Sequence, residues 1–97
     1  MTHEMLISAP VYLGADTRGA FRDAGVAALE SIDAAGGRLV IDLSTTQRID
    51  SAGLGVLMQL QARAAERRHG VVLRGASEEI RFLLLMTRLE DRFVIEP

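Results

Sequence analysis

The segment that most constrains the fold is a nearly uninterrupted apolar run in the middle of the chain, Leu39-Val40-Ile41-Asp42-Leu43. A strand with one wet face alternates apolar and polar side chains, whereas a continuous run is typical of a central strand covered on both faces. Val71-Val72-Leu73 repeats the pattern, and apolar residues at helical spacing occupy the interval between the two runs. Strands that alternate with helices in this way predict an α/β fold with crossover connections.

Turn residues divide the rest of the chain into further elements. Ser8-Ala9-Pro10 separates two short strand candidates, because proline has no N–H to donate to a neighbouring strand. The predicted elements are strands at 5–7, 11–13, 39–43, 71–73 and 93–95, and helices at 17–34, 51–69 and 78–87, with Ser77 as N-cap of the last helix and a polar connection at 44–50. For 97 residues we expect a single domain over residues 1–97, with a four- to five-stranded mixed sheet and helices packed against it.

Charge and composition exclude several classes of function. The formal net charge of −2 gives no electrostatic footprint for nucleic acid. The chain has no cysteine, which rules out disulfides and thiolate metal sites, and its two histidines, His3 and His69, lack the spacing of metal ligands. The GLG at residues 53–55 lacks the lysine of a phosphate-binding loop, since the chain contains no lysine. We therefore expect no metal and no cofactor.

Neither a catalytic group nor a membrane segment is indicated. Ser51 lies beside Asp50, but no general base held by a third residue accompanies them, so the protein is predicted not to be an enzyme. The first ten residues lack the basic start and apolar middle of a signal peptide. The longest strongly apolar run, Phe82-Leu83-Leu84-Leu85-Met86, is far shorter than the roughly 20 residues of a membrane helix. We expect a cytoplasmic protein without membrane insertion, and we interpret this run mainly as core, with partner contact as the alternative.

The helix predicted to start at Ser51 carries two rows of side chains. One apolar stripe should pack on the sheet, and it consists of Gly53, Val56, Leu57, Leu60 and Ala64. A neighbouring row begins at the hydroxyl and consists of Ser51, Leu54, Gly55 and Met58. The second row is more apolar than an outward face requires, so it forms either the edge of the core or a small partner-binding patch.

Ser51 itself has two interpretations. As an N-cap, its oxygen would accept a hydrogen bond from the amide of Gly53 or Leu54, which is worth about 1 kcal/mol. As a phosphorylation site, it would place a phosphate at the positive end of the helix dipole, where free amides favour an anion. The Asp50 carboxylate acts against the phosphate by like-charge repulsion. Phosphorylation there would change the surface charge sharply without disrupting the fold.

The order of these motifs resembles the STAS domain family, and in particular bacterial anti-sigma-factor antagonists. The resemblance rests on Leu39-Val40-Ile41-Asp42-Leu43-Ser44 followed by Ile49-Asp50-Ser51-Ala52-Gly53-Leu54-Gly55-Val56-Leu57. It continues through the segments VVLRG at 71–75, SEEI at 77–80 and LEDRF at 89–93, and it covers roughly residues 13–95. The combination of DLS with DSAGLG at this distance is more specific than a lone DSAG.

The resemblance implies a partner-switching protein in bacterial signal transduction and transcription regulation. In that family the serine matching Ser51 is phosphorylated by an anti-sigma factor that is a serine kinase; the unmodified form binds this kinase and frees the sigma factor, and a serine phosphatase restores the hydroxyl. The implied partner surface consists of Asp50, Ser51, Ala52, Gly53, Leu54, Gly55 and Met58, with Asp42 and Ser44 supporting the loop that leads to it.

The family also contains members without a phosphorylation cycle. Some are accessory subunits of lipid-transport ABC systems and others are scaffold proteins, and the transport subunits commonly have threonine at the position of Ser51. Serine at this position favours the phosphorylation cycle. The chain departs from the family pattern before Gly14, where the segment is short, so we expect the usual N-terminal hairpin to be truncated or irregular.

Overall fold

Six strands and three helices build the chain, and the computed structural model describes residues 1–97. The order along the chain is β1 (Glu4–Ser8), β2 (Tyr12–Leu13), α1 (Arg18–Glu30), β3 (Arg38–Asp42), β4 (Arg48–Ile49), α2 (Ser51–Glu66), β5 (Gly70–Arg74), α3 (Glu78–Met86) and β6 (Val94–Glu96). The α/β class predicted from the alternating segments is confirmed.

The main sheet has four strands in the order β1-β3-β5-β6, and every pair in it is parallel. The predicted strand number is therefore right, but the expectation of a mixed sheet is wrong. The reason lies at Ala9 and Pro10. The Ala9 N–H donates to the Asp42 carbonyl (2.9 Å) as the last bond of the β1 ladder, and Pro10 then turns the chain away. Strands β1 and β2 therefore form no hairpin with each other.

Strand β2 instead joins β4 in a separate two-stranded parallel ladder, which pairs Tyr12 with Arg48 and Leu13 with Ile49. Strand β4 lies inside the segment predicted to be a polar connection. Its two residues are too few to show a strand pattern, and only Ile49 of the pair is buried. This small ladder matters for the site, because β4 leads directly into α2.

All three helices cover one face of the main sheet. Successive strands step across the sheet in one direction, and right-handed crossovers then place their helices on the same side. The core cluster accordingly contains alternate residues of the central strands, Leu39, Ile41, Val71 and Leu73. The five residues predicted as the core stripe of α2 are all buried. None of the helices is both long enough and apolar enough to span a membrane.

The other face of the sheet has no helix on it. Val40 and Val72 are fully buried there, whereas their register partners at the two sheet edges, Leu6 and Val94, are more than half exposed. Ion pairs cross the same face: Arg38 contacts Glu4 (2.8 Å) and Glu96 (3.9 Å), and Arg74 contacts Glu96 (3.1 Å).

Helix α3 differs from the sequence interpretation. Its apolar run was expected to be mainly core, but only Leu84 of the run is buried and Leu83 is half-buried. Phe82, Leu85 and Met86 are exposed by 62%, 56% and 65%. This exposure arises because α3 covers the edge of the sheet. One side of the helix contacts the core, and its other side has no neighbouring helix.

Candidate functional site

The N-terminus of α2 is capped by Asp50 and not by Ser51. Asp50 has an extended backbone (φ −96°, ψ −174°), and its Oδ1 accepts a hydrogen bond from the Gly53 N–H at 2.9 Å. Its main-chain carbonyl accepts the Leu54 N–H, also at 2.9 Å. The N-cap interpretation of Ser51 is therefore wrong. An N-cap residue has a non-helical backbone, whereas Ser51 is the first residue with a helical backbone.

The Asp50 carboxylate also joins α2 to β2 and to the turn that follows it. Its Oδ2 accepts hydrogen bonds from the Tyr12 hydroxyl (3.2 Å) and the Ala15 N–H (3.3 Å). These donors, with the Gly53 N–H as the largest influence, hold the pKa of the Asp50 carboxyl below its ordinary value. Asp50 is therefore a charged anchor that fixes the direction in which α2 leaves the sheet.

Tyr12 and Arg48 belong to this site, although the sequence analysis did not identify them. The Arg48 guanidinium lies 5.9 Å from the centre of the Tyr12 ring, within the range of a cation–π contact. Gly14 leaves room for the arrangement, because a Cβ there would overlap the Tyr12 ring and the Asp50 carboxylate. The pairing of β2 with β4 brings these two residues together. A strand of two residues has no recognisable sequence pattern, so the sequence did not predict this pairing.

Ser51 is exposed and its hydroxyl makes no hydrogen bond within the chain. On the same side of α2, Ala52, Leu54 and Gly55 are half-buried, while Met58 is 42% exposed. Leu54 also contacts the core cluster. The second row of α2 is thus an accessible strip with Ser51 at its start, and its Leu54 is shared with the edge of the core.

Gly53 does not lie on the partner surface that the resemblance implied. It is buried, and a Cβ at this position would overlap the carbonyl of Leu13 and the side chain of Ile49. The absence of a side chain allows α2 to approach β2 closely. Gly53 therefore belongs to the core stripe, as the periodicity of α2 predicted, and not to the accessible strip.

The connection after β3 is held by a local hydrogen bond. The Asp42 Oδ1 accepts the Ser44 N–H at 2.9 Å, and this bond is the main reason that the pKa of the Asp42 carboxyl is lowered. Asp42 is thus bonded within the β3–β4 connection and forms no hydrogen bond with Ser51. No group of three or more histidine, aspartate or glutamate side chains is arranged to hold a metal ion.

Comparison with protein families gives a match over almost the whole chain. The model described as Mlab, STAS domain matches residues 3–96. No curated protein sequence matches the chain.

Solved structures share the fold at low sequence identity. A Thermotoga maritima protein assigned as an anti-sigma factor antagonist has a TM-score of 0.83 at 18% identity, over 100% of this chain and 81% of that one. An anti-sigma-factor antagonist (STAS) domain protein from Planctomyces limnophilus has a TM-score of 0.81 at 19% identity, over 94% and 80% of the two chains. A sulfate transporter family protein from Wolinella succinogenes has a TM-score of 0.78 at 13% identity, over 97% and 76%.

Proposed function

The chain belongs to the STAS domain family, and on this premise we propose that it is a phosphorylation-controlled partner-switching protein of the bacterial cytoplasm. In its unphosphorylated form it binds an anti-sigma factor that is a serine kinase, and the bound sigma factor is released to direct transcription. Phosphorylation of Ser51 ends this binding, and a serine phosphatase reverses it. The chain acts by binding, and the phosphoryl-transfer chemistry belongs to the kinase.

The observation that supports this proposal best is the free hydroxyl of Ser51. Asp50 already caps the helix through the Gly53 amide, so Ser51 is not required for the stability of α2. Its side chain is exposed at the first turn, where the partial positive charge of the helix favours a phosphate. A kinase can therefore modify this residue without removing a capping interaction.

Phosphorylation changes the charge of the strip without a rearrangement of the fold. The Ser51 Oγ forms a bond to the γ-phosphorus of ATP, the bond between that phosphorus and ADP breaks, and the hydroxyl proton passes to the kinase or to solvent. The new group carries about −1.5 to −2 charges, directly beside the Asp50 carboxylate. In a docked complex this charge would have to be desolvated between Leu54, Gly55 and Met58, which disfavours binding.

The proposed contact surface is the accessible strip together with its anchor. It contains Asp50, Ser51, Ala52, Leu54, Gly55 and Met58. Gly53 is buried beneath this surface and allows α2 to pack closely on Leu13 and Ile49. Gly55 has no atom within 4 Å of a hypothetical Cβ, so the backbone of a partner can approach α2 closely there. Met58 supplies an adaptable apolar contact one turn further along the helix.

The test compares Ser51→Asp with Ser51→Ala in binding to the serine kinase of histidine-kinase-like ATPase fold that a neighbouring gene would encode. We expect Ser51→Ala to bind within about twofold of the wild type, and Ser51→Asp to bind at least tenfold more weakly, a loss of about 1.4 kcal/mol. Isothermal titration measures both. Equal binding of the two variants would contradict the proposal.

Gln59→Glu is the matched control for added charge. Gln59 is exposed on α2 but lies on the side that faces α1, beside Arg22 and Asp23. The Gln59→Glu variant adds one negative charge to the same helix outside the proposed surface. The affinity of this variant for the kinase should therefore stay within about twofold of the wild type.

A second candidate is an accessory subunit of a transport system. The family model described as Mlab and the structural likeness to a sulfate transporter family protein favour it. This candidate predicts stable co-purification with a transport ATPase, and an affinity for that ATPase that phosphorylation of Ser51 leaves unchanged. The same Ser51 variants therefore discriminate between the two functions.

A further inference from the structure

Helix α3 and strand β6 border an open groove that shares no residue with the proposed Ser51 surface. The groove has a volume of about 770 Å³, and its lining includes Glu78, Glu79, Phe82, Leu85, Glu90 and Ile95. Its apolar walls come from the exposed side of α3 and from Ile95 at the sheet edge. The groove lies where the helix layer ends, above the last strand of the sheet.

Glu90, which lines this groove, has one unpaired carboxylate oxygen. Glu90 Oε2 is buried and has no hydrogen-bond partner, so it can accept a donor from the groove only when the Glu90 side chain turns outward, and such a donor would satisfy it. Glu78 and Glu79 line the same groove, and neither they nor Glu90 form an ion pair within the chain. Arg81 is the only cationic residue of the lining. The groove is therefore apolar with an excess of negative charge.

We propose that this groove is a second docking site, for an amphipathic helix of a partner protein that carries an arginine in its apolar face. The apolar face of such a helix would pack on Phe82, Leu85 and Ile95. Its guanidinium would donate to the Glu90 carboxylate, whose buried oxygen turns toward the groove on binding. A membrane surface is disfavoured as the occupant, because anionic headgroups would meet three glutamates.

This site is independent of the proposed phosphorylation cycle. Ser51 and Met58 do not line the groove, so a protein that fails to bind a kinase can still bind here, and the reverse also holds. The two proposals therefore fail separately.

The test uses a synthetic helical peptide of roughly 18 residues, long enough for appreciable helicity. Its apolar face is leucine with one central arginine, its polar face is glutamine, and a matched peptide carries norleucine in place of the arginine. Titration into the isotopically labelled 97-residue protein, followed by NMR, should shift amides of α3 and β6. Calorimetry should give about tenfold tighter binding for the arginine peptide, since a hydrogen bond to a charged group strengthens the contact.

Three variants identify the contacts. Glu90→Gln should reduce the tenfold preference for arginine to less than twofold, and Phe82→Ser should weaken both peptides by at least fivefold. Met58→Ser, also an exposed apolar residue, should change neither affinity. Thermal unfolding of each variant confirms that it is folded. The double-mutant cycle between Glu90 and the peptide arginine measures their coupling directly.

Several results would overturn the inference. These are no binding of either peptide, amide shifts confined to other surfaces, or an arginine preference that Glu90→Gln leaves intact. The protein could instead sediment with vesicles of mixed anionic and zwitterionic lipid. If Phe82→Ser abolished this co-sedimentation, the groove would be identified as a membrane-binding site. A concentration-dependent dimer that Phe82→Ser abolishes would identify a second copy of the chain as the occupant.

Discussion

Asp50 and Ser51 are neighbours with opposite roles, and the difference comes from their backbone positions. The extended backbone of Asp50 directs its carboxylate to the Gly53 amide, whereas the helical backbone of Ser51 directs its hydroxyl to solvent. Aspartate and serine are comparable N-caps, so the sequence alone could not decide which of them begins the helix. The dipeptide was predictable as a helix start, but the assignment of the cap required the structure.

Asp50→Asn should make stability less dependent on pH. The pKa of Asp50 is lowered in the folded state by the Gly53, Ala15 and Tyr12 donors. A carboxyl whose pKa is lowered by folding contributes its full stabilisation when the pH is above its unfolded-state pKa, about 3.9. It loses that contribution as the pH falls through its folded-state pKa. The variant should therefore unfold at a lower midpoint than wild type at pH 7, and the gap should close as the pH falls below about 4.

Urea unfolding between pH 7 and pH 2.5 measures this gap. Asp16→Asn is the control, since Asp16 is exposed in the same turn and its side chain forms no hydrogen bond. It should show no comparable gap at either pH. A gap for Asp50→Asn that stays constant over the whole range would show that the Asp50 charge does not stabilise the site.

The starts of α2 and α3 predict opposite outcomes for two serines. Ser77 Oγ accepts the Ile80 N–H at 3.2 Å, as the sequence predicted, while Ser51 caps nothing. Ser77→Ala should lower the free energy of unfolding by about 1 kcal/mol, or the melting temperature by roughly 4–8 °C. Ser51→Ala should change it by less than about 0.5 kcal/mol. A loss at Ser51 as large as that at Ser77, measured by calorimetry, would contradict the assignment of Asp50 as the cap.

The two glycines of α2 should respond to alanine with opposite signs. At Gly53 the new methyl group would overlap the Leu13 carbonyl, and such overpacking costs about 1–3 kcal/mol. At Gly55 it would meet nothing, so the higher helix propensity of alanine should stabilise the protein by roughly 0.5–1 kcal/mol. Denaturant unfolding of both variants measures this. Destabilisation at Gly55, or none at Gly53, would mean that α2 packs differently.

Long periodic elements were predictable, and short or one-sided ones were not. The five core residues of α2 follow from helical spacing alone, because a helix on a sheet buries one stripe. Strand β4 was missed since its pairing with β2 is a contact between distant residues that only the fold creates. The exposed flank of α3 was missed because an apolar run does not reveal whether the sheet extends beneath both of its sides.

At the scale of the whole molecule, the two proposed binding surfaces lie outside the core that stabilises the fold. The core cluster lies between one face of the sheet and three helices, and the Ser51 strip and the α3 groove lie outside it on different elements. Phosphorylation would take the formal net charge from −2 to about −4, a large relative change for a chain of 97 residues. Because this charge is added at a surface, we expect the folded structure to persist and only the choice of partner to change.

Intact-mass spectrometry of the protein after incubation with the serine kinase and ATP tests the central claim most directly. We predict the addition of one phosphate group to the wild type, located on Ser51 by fragmentation, and no addition to Ser51→Ala. A phosphate on another residue, or its persistence in Ser51→Ala, would contradict the account, as would an unmodified wild-type chain beside a kinase shown to bind it.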